Sequence, residues 1–427
     1  MHSKEIPWII ACYILLFLPT TCTCFLHSSL PTTAGEKFRQ TFTVLLDAGS
    51  TNSFSFADVA NQGITSLLKE EKSGTILAGT KSGEVLQSMD NAMTWTQLSG
   101  YNHKPKYPVY SLAVETKASN DNDKNSKLGR IFCGRGDRYI SVWDTEIKEY
   151  VQRLGPHTGW VQDLAYNEDA QILYSIGCNC IEVWDCSGRD TSDGSIRHIS
   201  KLSVENSVLA STLSSDLLRL CLVDGQHVSS DKERGKGTKA EKKIIMFSGV
   251  DGRIHLRSSY RQTSLVHKGR INALTYSSMK SQILFSVGND GKLCASRINF
   301  YSSMEIELLA ELELKGLPRL TTVTILEEAD NGELYLVVGT TEGDIIFVSA
   351  KVKSSDNSIT LMEGGTTNVH NGAKIYSAIA LPKGSPFEPN IEMGSSHTGT
   401  RVLLVGHAKG LTKQPYCLPF KFQSELC

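Results

Sequence analysis

Gly129-Arg-Ile-Phe-Cys-Gly-Arg-Gly-Asp137-Arg-Tyr-Ile-Ser-Val-Trp143-Asp144 is followed by a second version of the same pattern. It runs from His157-Thr-Gly-Trp-Val161 through Ile172-Leu-Tyr-Ser-Ile-Gly-Cys-Asn179 to Ile181-Glu-Val-Trp184-Asp185. Each copy is a short apolar strand, a tight polar turn and an alternating strand closed by a Trp-Asp pair. Self-similarity of this kind marks a repeat architecture, in which no unit buries its apolar face alone and neighbours must stack.

Working outward, the same skeleton recurs with altered letters. Before the pair stand Ile64 to Leu68 with the hairpin Thr75 to Gly83, then Val109 to Val114. After it come Leu217 to Val223 with Ile244 to Gly252, and His267 to Tyr276 with Ile283 to Gly291. Leu320 to Leu326 with Leu334 to Gly343, and Tyr376 to Leu381 with Val402 to Gly410, complete the series. Gly83, Gly252, Gly291, Gly343 and Gly410 stand before the third strand, where a hairpin turn needs a positive φ.

The Trp-Asp copies resemble the WD-repeat β-propeller family. That resemblance implies an all-β chain: a single seven-bladed β-propeller of four-stranded antiparallel blades, closed by an amino-terminal strand. The segments offered for closure are Phe42 to Leu46 and Ser53 to Ala57, one of which should pair with blade seven because an open ring exposes sheet edges. In the family a His, a Ser or Thr, an Asp and the Trp form a hydrogen-bonded tetrad within a blade, a structural role. Here His157, Ser175 and Trp184 match three members, with Asn179 in place of the Asp in a turn one residue short. His267, Ser286 and Asp290 match three in blade five, where Ser296 falls near the Trp position; Asp137 and Trp143 are counted as structural residues of blade two. Arg257 and Val348 fall near the Trp position of later blades.

The amino end is different material. Met1 to Cys24 has a short polar start, the apolar run Trp8 to Leu18, Pro19 and then small residues, which reads as a cleavable signal peptide too short to span a bilayer. Residues 25–53 read as presequence or linker. Their start, Phe25 to Gly35, has hydroxyls and no acid and resembles the second half of the bipartite presequence used for secondary, red-derived plastids. Secretory targeting is the first expectation and the plastid the alternative; the absence of any Asn-x-Ser/Thr acceptor suits a chain that only passes through the secretory system. Residues 54–422 are then the propeller and 423–427 a tail.

A formal net charge of −1 offers no strongly basic surface, which disfavours nucleic acid as the main ligand. Three charged or low-complexity insertions, Thr116 to Leu128, His227 to Lys243 and Pro382 to Thr400, all fall between the first and second strands of their blades. They therefore gather on one face.

Motifs that carry chemistry are few. Ser88-Met-Asp90-Asn-Ala92-Met-Thr94-Trp95 resembles the Asp-box turn of sialidase-like propellers, with Ala92 replacing its Gly, and also brings in the Asp-box propellers that assist photosystem assembly. Cys178, Cys180 and Cys186 read as buried core thiols rather than a zinc site, with a disulfide as the alternative. Arg135-Gly-Asp137 spells an adhesion tripeptide inside a blade's own turn. No phosphate-cradling loop, Gly-x-Ser-x-Gly elbow or His-Glu-x-x-His is present, nor the Trp-Asp-x-Arg form that docks on a ubiquitin-ligase adaptor.

No catalytic residue, cofactor or metal is expected. The function implied is a non-catalytic scaffold for protein partners, monomeric within a complex. The alternatives are a plastid assembly factor and a glycosidase-like hydrolase with its site at the propeller mouth.

Overall fold

The computed structural model describes residues 53–418 apart from connecting segments, chiefly 99–106, 118–126, 189–194, 204–216, 225–242, 258–260, 278–281, 300–304, 354–357 and 383–400. The signal peptide, most of the presequence, Phe42 to Leu46 and the tail lie outside the described residues.

Seven antiparallel sheets follow one another along the chain and form a seven-bladed β-propeller. Strands are lettered a to d outward from the channel. The inner strands are Ile64–Lys69, Val109–Lys117, Asp163–Asn167, Leu217–Asp224, Ile271–Ser277, Leu320–Glu328 and Ile375–Ala380. Each packs beside the next, and that of blade seven packs beside that of blade one. Five blades have four strands; blade one has a fifth, and blade seven has three among the described residues.

The ring is not closed by Ser53 to Ala57. Ser53–Ser55 instead adds to the outside of blade one, pairing with Thr94–Gln97, and a short helical turn, Phe56–Val59, leads from it to the inner strand. The local cause is the Asp58 carboxylate, which accepts hydrogen bonds from the Ser55 N–H at 2.8 Å and its hydroxyl at 2.7 Å, ending the strand.

Among the described residues, blades seven and one are joined by side-chain packing. Val59, Ile64, Ile76 and Trp95 of blade one share a buried cluster with Leu381, Val402, Leu404 and Leu411 of blade seven. At its centre Ile64 lies against Gly406: a Cβ on Gly406 would stand 2.7 Å from Ile64 Cγ2. The same contact recurs at three other junctions. Gly79 receives Val109, Gly134 receives Val161 and Gly339 receives Ile375, with a Cβ at each glycine falling 2.6, 2.8 and 2.6 Å from the facing methyl.

One residue into the inner strand, six blades carry a β-bulge, at Thr65, Tyr110, Leu218, Asn272, Thr321 and Tyr376. A bulge turns its side chain out of the ladder, and here two bulged residues bond the neighbouring blade. Thr65 Oγ1 donates to the Val109 carbonyl at 2.6 Å, and Asn272 Nδ2 to the Leu320 carbonyl at 2.5 Å. The other junctions are bridged by Tyr166 to Glu115 (3.1 Å), the Leu220 N–H to Asp163 (2.9 Å), Arg219 to the Asn272 carbonyl (2.5 Å), Thr324 to the Ala378 carbonyl (2.9 Å) and Ser377 to the Leu67 carbonyl (3.4 Å). All seven junctions thus have a polar link between inner strands.

The turn glycines divide. Gly252 and Gly343 take φ of +75° and +94°, and a Cβ there would fall 2.1 and 2.0 Å from the carbonyl oxygens of His267 and His370 in the connection that follows. Gly410, expected before strand c of blade seven, is instead the first residue of that strand, Gly410–Tyr416.

The close approach at the last junction is testable. Gly406→Ala is expected to cost about 1–3 kcal/mol through overpacking. Its effect should shrink when combined with Ile64→Ala, which removes the methyl it meets; urea unfolding of the four chains of that cycle measures the coupling.

Candidate functional site

The structure brings the blade-three residues together. His157 Nε2 is 2.9 Å from Ser175 Oγ, and Trp184 Nε1 donates to the same oxygen at 2.8 Å. All three are buried, and Asn179 lies outside the described residues. Burial holds the His157 imidazole near pKa 4, only partly opposed by Glu182, so it is neutral at pH 7.

Blade five has the acid that blade three lacks. His267 Nδ1 is 2.9 Å from Asp290 Oδ1, and its Nε2 is 2.9 Å from Ser286 Oγ. Burial raises the Asp290 carboxyl, but the hydrogen bonds from His267 and the Lys268 N–H outweigh it and leave the pKa below the usual range. In blade two Asp137 accepts from the Tyr139 N–H at 3.2 Å and pairs with Arg153 at 3.1 Å. Trp143 packs among Leu77, Val109 and Ile131.

Strand register shows what fills the Trp position elsewhere. Trp143 faces Ile131 and Trp184 faces Leu173; in the same place Ser296 faces Leu284, Val348 faces Leu336 and Arg257 faces Ile245. Trp143, Trp184, Ser296 and Val348 are buried in blade interiors.

The accessible chemistry lies at the channel mouth on the face formed by the d-to-a connections and b-to-c turns. In five blades the residue just before the inner strand's buried first residue is set by a repeated bond, in which its carbonyl accepts an N–H from the b-to-c turn. This holds for Gly63, Pro108, Arg270, Arg319 and Lys374 at 2.7 to 3.0 Å. Trp160 precedes Val161 in the same way. Three consecutive blades, five to seven, therefore place a cation at one ring position. Arg219, from the inner strand of blade four, adds a fourth.

Partial burial, then Arg270 and Arg219, hold the Lys374 ammonium below the usual lysine range. Across the ring the rim is aromatic. Trp160, 56% exposed, stacks on Tyr110 with centroids 5.6 Å apart, and Tyr107 is 50% exposed. Lys374 lies 4.9 Å over the Tyr376 ring. On the same face His407 Nε2 is 2.9 Å from Thr412 Oγ1, while its Nδ1 accepts from the Lys409 N–H at 3.3 Å.

Sequence patterning missed this rim, because no motif spells it. Its signal is a single position repeated at blade spacing, visible only once the inner strands are in register.

At the opposite end of the channel a cavity of about 400 Å³ is lined by the late inner strands of blades one, six and seven, with Arg401 and Tyr416. Arg401 there is paired with Glu327. The strands place all three insertions between strands a and b, as their spacing implied, joining Val109–Lys117 to Lys127–Arg135, Leu217–Asp224 to Lys243–Gly249 and Ile375–Ala380 to Arg401–His407. Most of their residues lie outside the described set.

The Asp-box stretch folds as a compact turn. Asp90 accepts from the N–H groups of Met93 (3.0 Å) and Thr94 (2.9 Å) and from the Thr94 hydroxyl (2.6 Å), while Trp95 is fully buried. Ala92, in the family's Gly position, takes φ of +67°. The Arg135-Gly-Asp137 tripeptide offers no free arginine to a receptor, since Arg135 is 1% exposed.

Two measurements follow from the buried histidines. Ser175→Ala removes the oxygen that both Trp184 and His157 use, with an expected cost of about 1–3 kcal/mol in urea unfolding. His407 titrates near 4 when folded because of burial and then His370, against about 6.5 unfolded. The unfolded chain therefore binds more protons between these values, and stability falls as pH drops from about 6.5 to 4. His407→Gln should flatten part of that slope in unfolding midpoints measured across the range, the rest residing in His157.

No known family profile matches the chain, and no curated protein matches it in sequence. Among solved structures, a chain from the crystal structure of the mitotic checkpoint complex is similar, with a TM-score of 0.55 and 14% identity over 91% of this chain and 98% of that one. At that identity the likeness is one of fold.

Proposed function

We propose that this chain is a non-catalytic propeller scaffold of WD-repeat type that holds protein partners, and that the d-to-a rim is where an acidic, aromatic-bearing segment docks. The observation that carries it is the run of cations at one ring position on blades five, six and seven, joined by Arg219 and facing the stacked Tyr110 and Trp160. Like charges gathered this way favour an anionic ligand and raise its association rate. Exposed Trp, Tyr and Arg are the residue types that anchor protein interfaces. Similarity to a chain of a protein complex supports a scaffold role in general terms.

The hydrolase reading has less support. It needs carboxylates poised at the channel. Asp163, on the inner strand of blade three, is already bonded to the Leu164 and Leu220 N–H groups, and Glu327 is paired with Arg401. The compact Asp-box turn favours the plastid assembly reading as a variant of the scaffold. Passage through the secretory route, with or without a plastid destination, is part of this proposal.

The triple variant Arg270→Glu, Arg319→Glu, Lys374→Glu is expected to keep its circular dichroism and melting temperature. It should lose the partners that the wild-type chain retains in affinity purification and mass spectrometry, and those partners should elute from the wild type as salt rises. Identical partner sets for both chains would remove the rim from consideration. A fluorescent fusion of residues 1–53 tests delivery; fluorescence confined to the secretory route or medium excludes the plastid.

A further inference from the structure

Blade three differs from blade five by one residue in its b-to-c turn, and that difference leaves a buried nitrogen without its acid. In blade five His267 Nδ1 meets Asp290. In blade three His157 is 2% exposed and its Nδ1 has no hydrogen-bond partner. That nitrogen faces the turn: a Cβ on Gly177 would stand 2.9 Å from it, and Gly177 pairs directly with Cys180 across the hairpin.

Cys180 and Glu182 complete the surroundings. A ring nitrogen of His157, Cys180 Sγ and a Glu182 carboxylate oxygen all lie within 4.8 Å of one another, and all three residues are buried. Cys180 Sγ is 3.6 Å from Glu182 Oε1. Two ligands at about 2.3 Å (sulfur) and 2.0 Å (oxygen) from a tetrahedral zinc ion stand about 3.5 Å apart, so this pair is already at coordination spacing.

We propose that blade three holds a divalent metal of the zinc class, ligated by His157, Cys180 and Glu182. Thiolate, imidazole and carboxylate together select a borderline ion over calcium or magnesium. The neighbours suit the role. Ser175 fixes the ring by its bond to His157 Nε2, leaving Nδ1 to the metal, and Trp184 fixes Ser175. His198 Nε2, 2.6 Å from Glu182 Oε2, orients the carboxylate as outer partners of metal ligands do. Among the described residues, Lys201, 3.6 Å from Glu182 Oε1, is the lysine or arginine in contact with the set; its side chain is 43% exposed, so metal binding can displace it into solvent. Thr158, whose hydroxyl is 3.6 Å from the sulfur, stands on the exposed side, where a fourth ligand enters.

The test is Co²⁺ titration of the full chain after chelator treatment under reducing conditions. The wild type is expected to develop a thiolate-to-cobalt charge-transfer band with tetrahedral visible bands at one equivalent, and Zn²⁺ should abolish both. Cys180→Ser should lose the charge-transfer band, whereas Cys186→Ser, a buried thiol outside the set, should keep it. Glu182→Gln and His198→Gln retain the thiol and should weaken binding at least tenfold, which serves if the Cys180 variant does not fold. A wild-type chain that shows no band, or a Cys180→Ser chain with an undiminished one, overturns the proposal.

Discussion

The ring depends on how near one blade's second strand comes to the next blade's first. At four of the seven junctions a glycine on strand b admits the β-branched residue that opens the following inner strand, at separations no Cβ tolerates. Ile64, Val109, Val161 and Ile375 are fully buried there. Each contributes about 1.5–3 kcal/mol through burial, and each fixes the stagger between two sheets that share no backbone hydrogen bonds in their ladders. The junction from seven to one uses the same device as its neighbours, so among the described residues the first and last blades meet as the others do.

Apolar contact alone would allow the blades to slide, and the polar links remove that freedom. Hydroxyl, amide, guanidinium and carboxylate groups on the inner strands bond across every junction. They lie in the channel wall, where an unsatisfied carbonyl would be costly. The bulges supply two of these donors, Thr65 and Asn272, by turning one side chain out of the ladder in six of the blades. The same bulge turns Tyr110 and Tyr376 into the mouth, so the geometry that locks the ring also furnishes its aromatic rim.

The fold was legible because its two strongest copies, Gly129 to Asp144 and His157 to Asp185, fix the period and the register. The remaining inner strands then begin within a residue or two of where their apolar runs begin. What was not legible rests on contacts distant in sequence. Closure by Ile64 and Gly406 joins residues at opposite ends of the ring, and nothing local marks Gly406 as the partner. Arg270, Arg319 and Lys374 sit in three unlike local sequences and become one feature only through a shared backbone bond. Cys180 is a buried free thiol, as its place in a strand implied; that Glu182 faces the same side of its strand and His157 arrives from the preceding connection is marked by nothing local.

Blades three and five together show how a structural constellation changes use. In blade five the His267 ring is satisfied at both nitrogens, by Ser286 and Asp290, and its only consequence is rigidity. Shortening the turn in blade three deletes the acid but leaves Ser175 and Trp184 holding the His157 ring in the same pose. A buried imidazole nitrogen without a partner is unfavourable by about 1–3 kcal/mol, and substitution of an apolar side chain would relieve it. His157 instead remains, with a thiol and a carboxylate in the positions that blade five gives to other residues. The register pairs Ser175 with Glu182 where Ser286 pairs with Cys294. Blade three is therefore not a worn copy of blade five: it keeps the His, the Ser and the Trp without the acid, whereas blade five keeps the His, the Ser and the acid without the Trp.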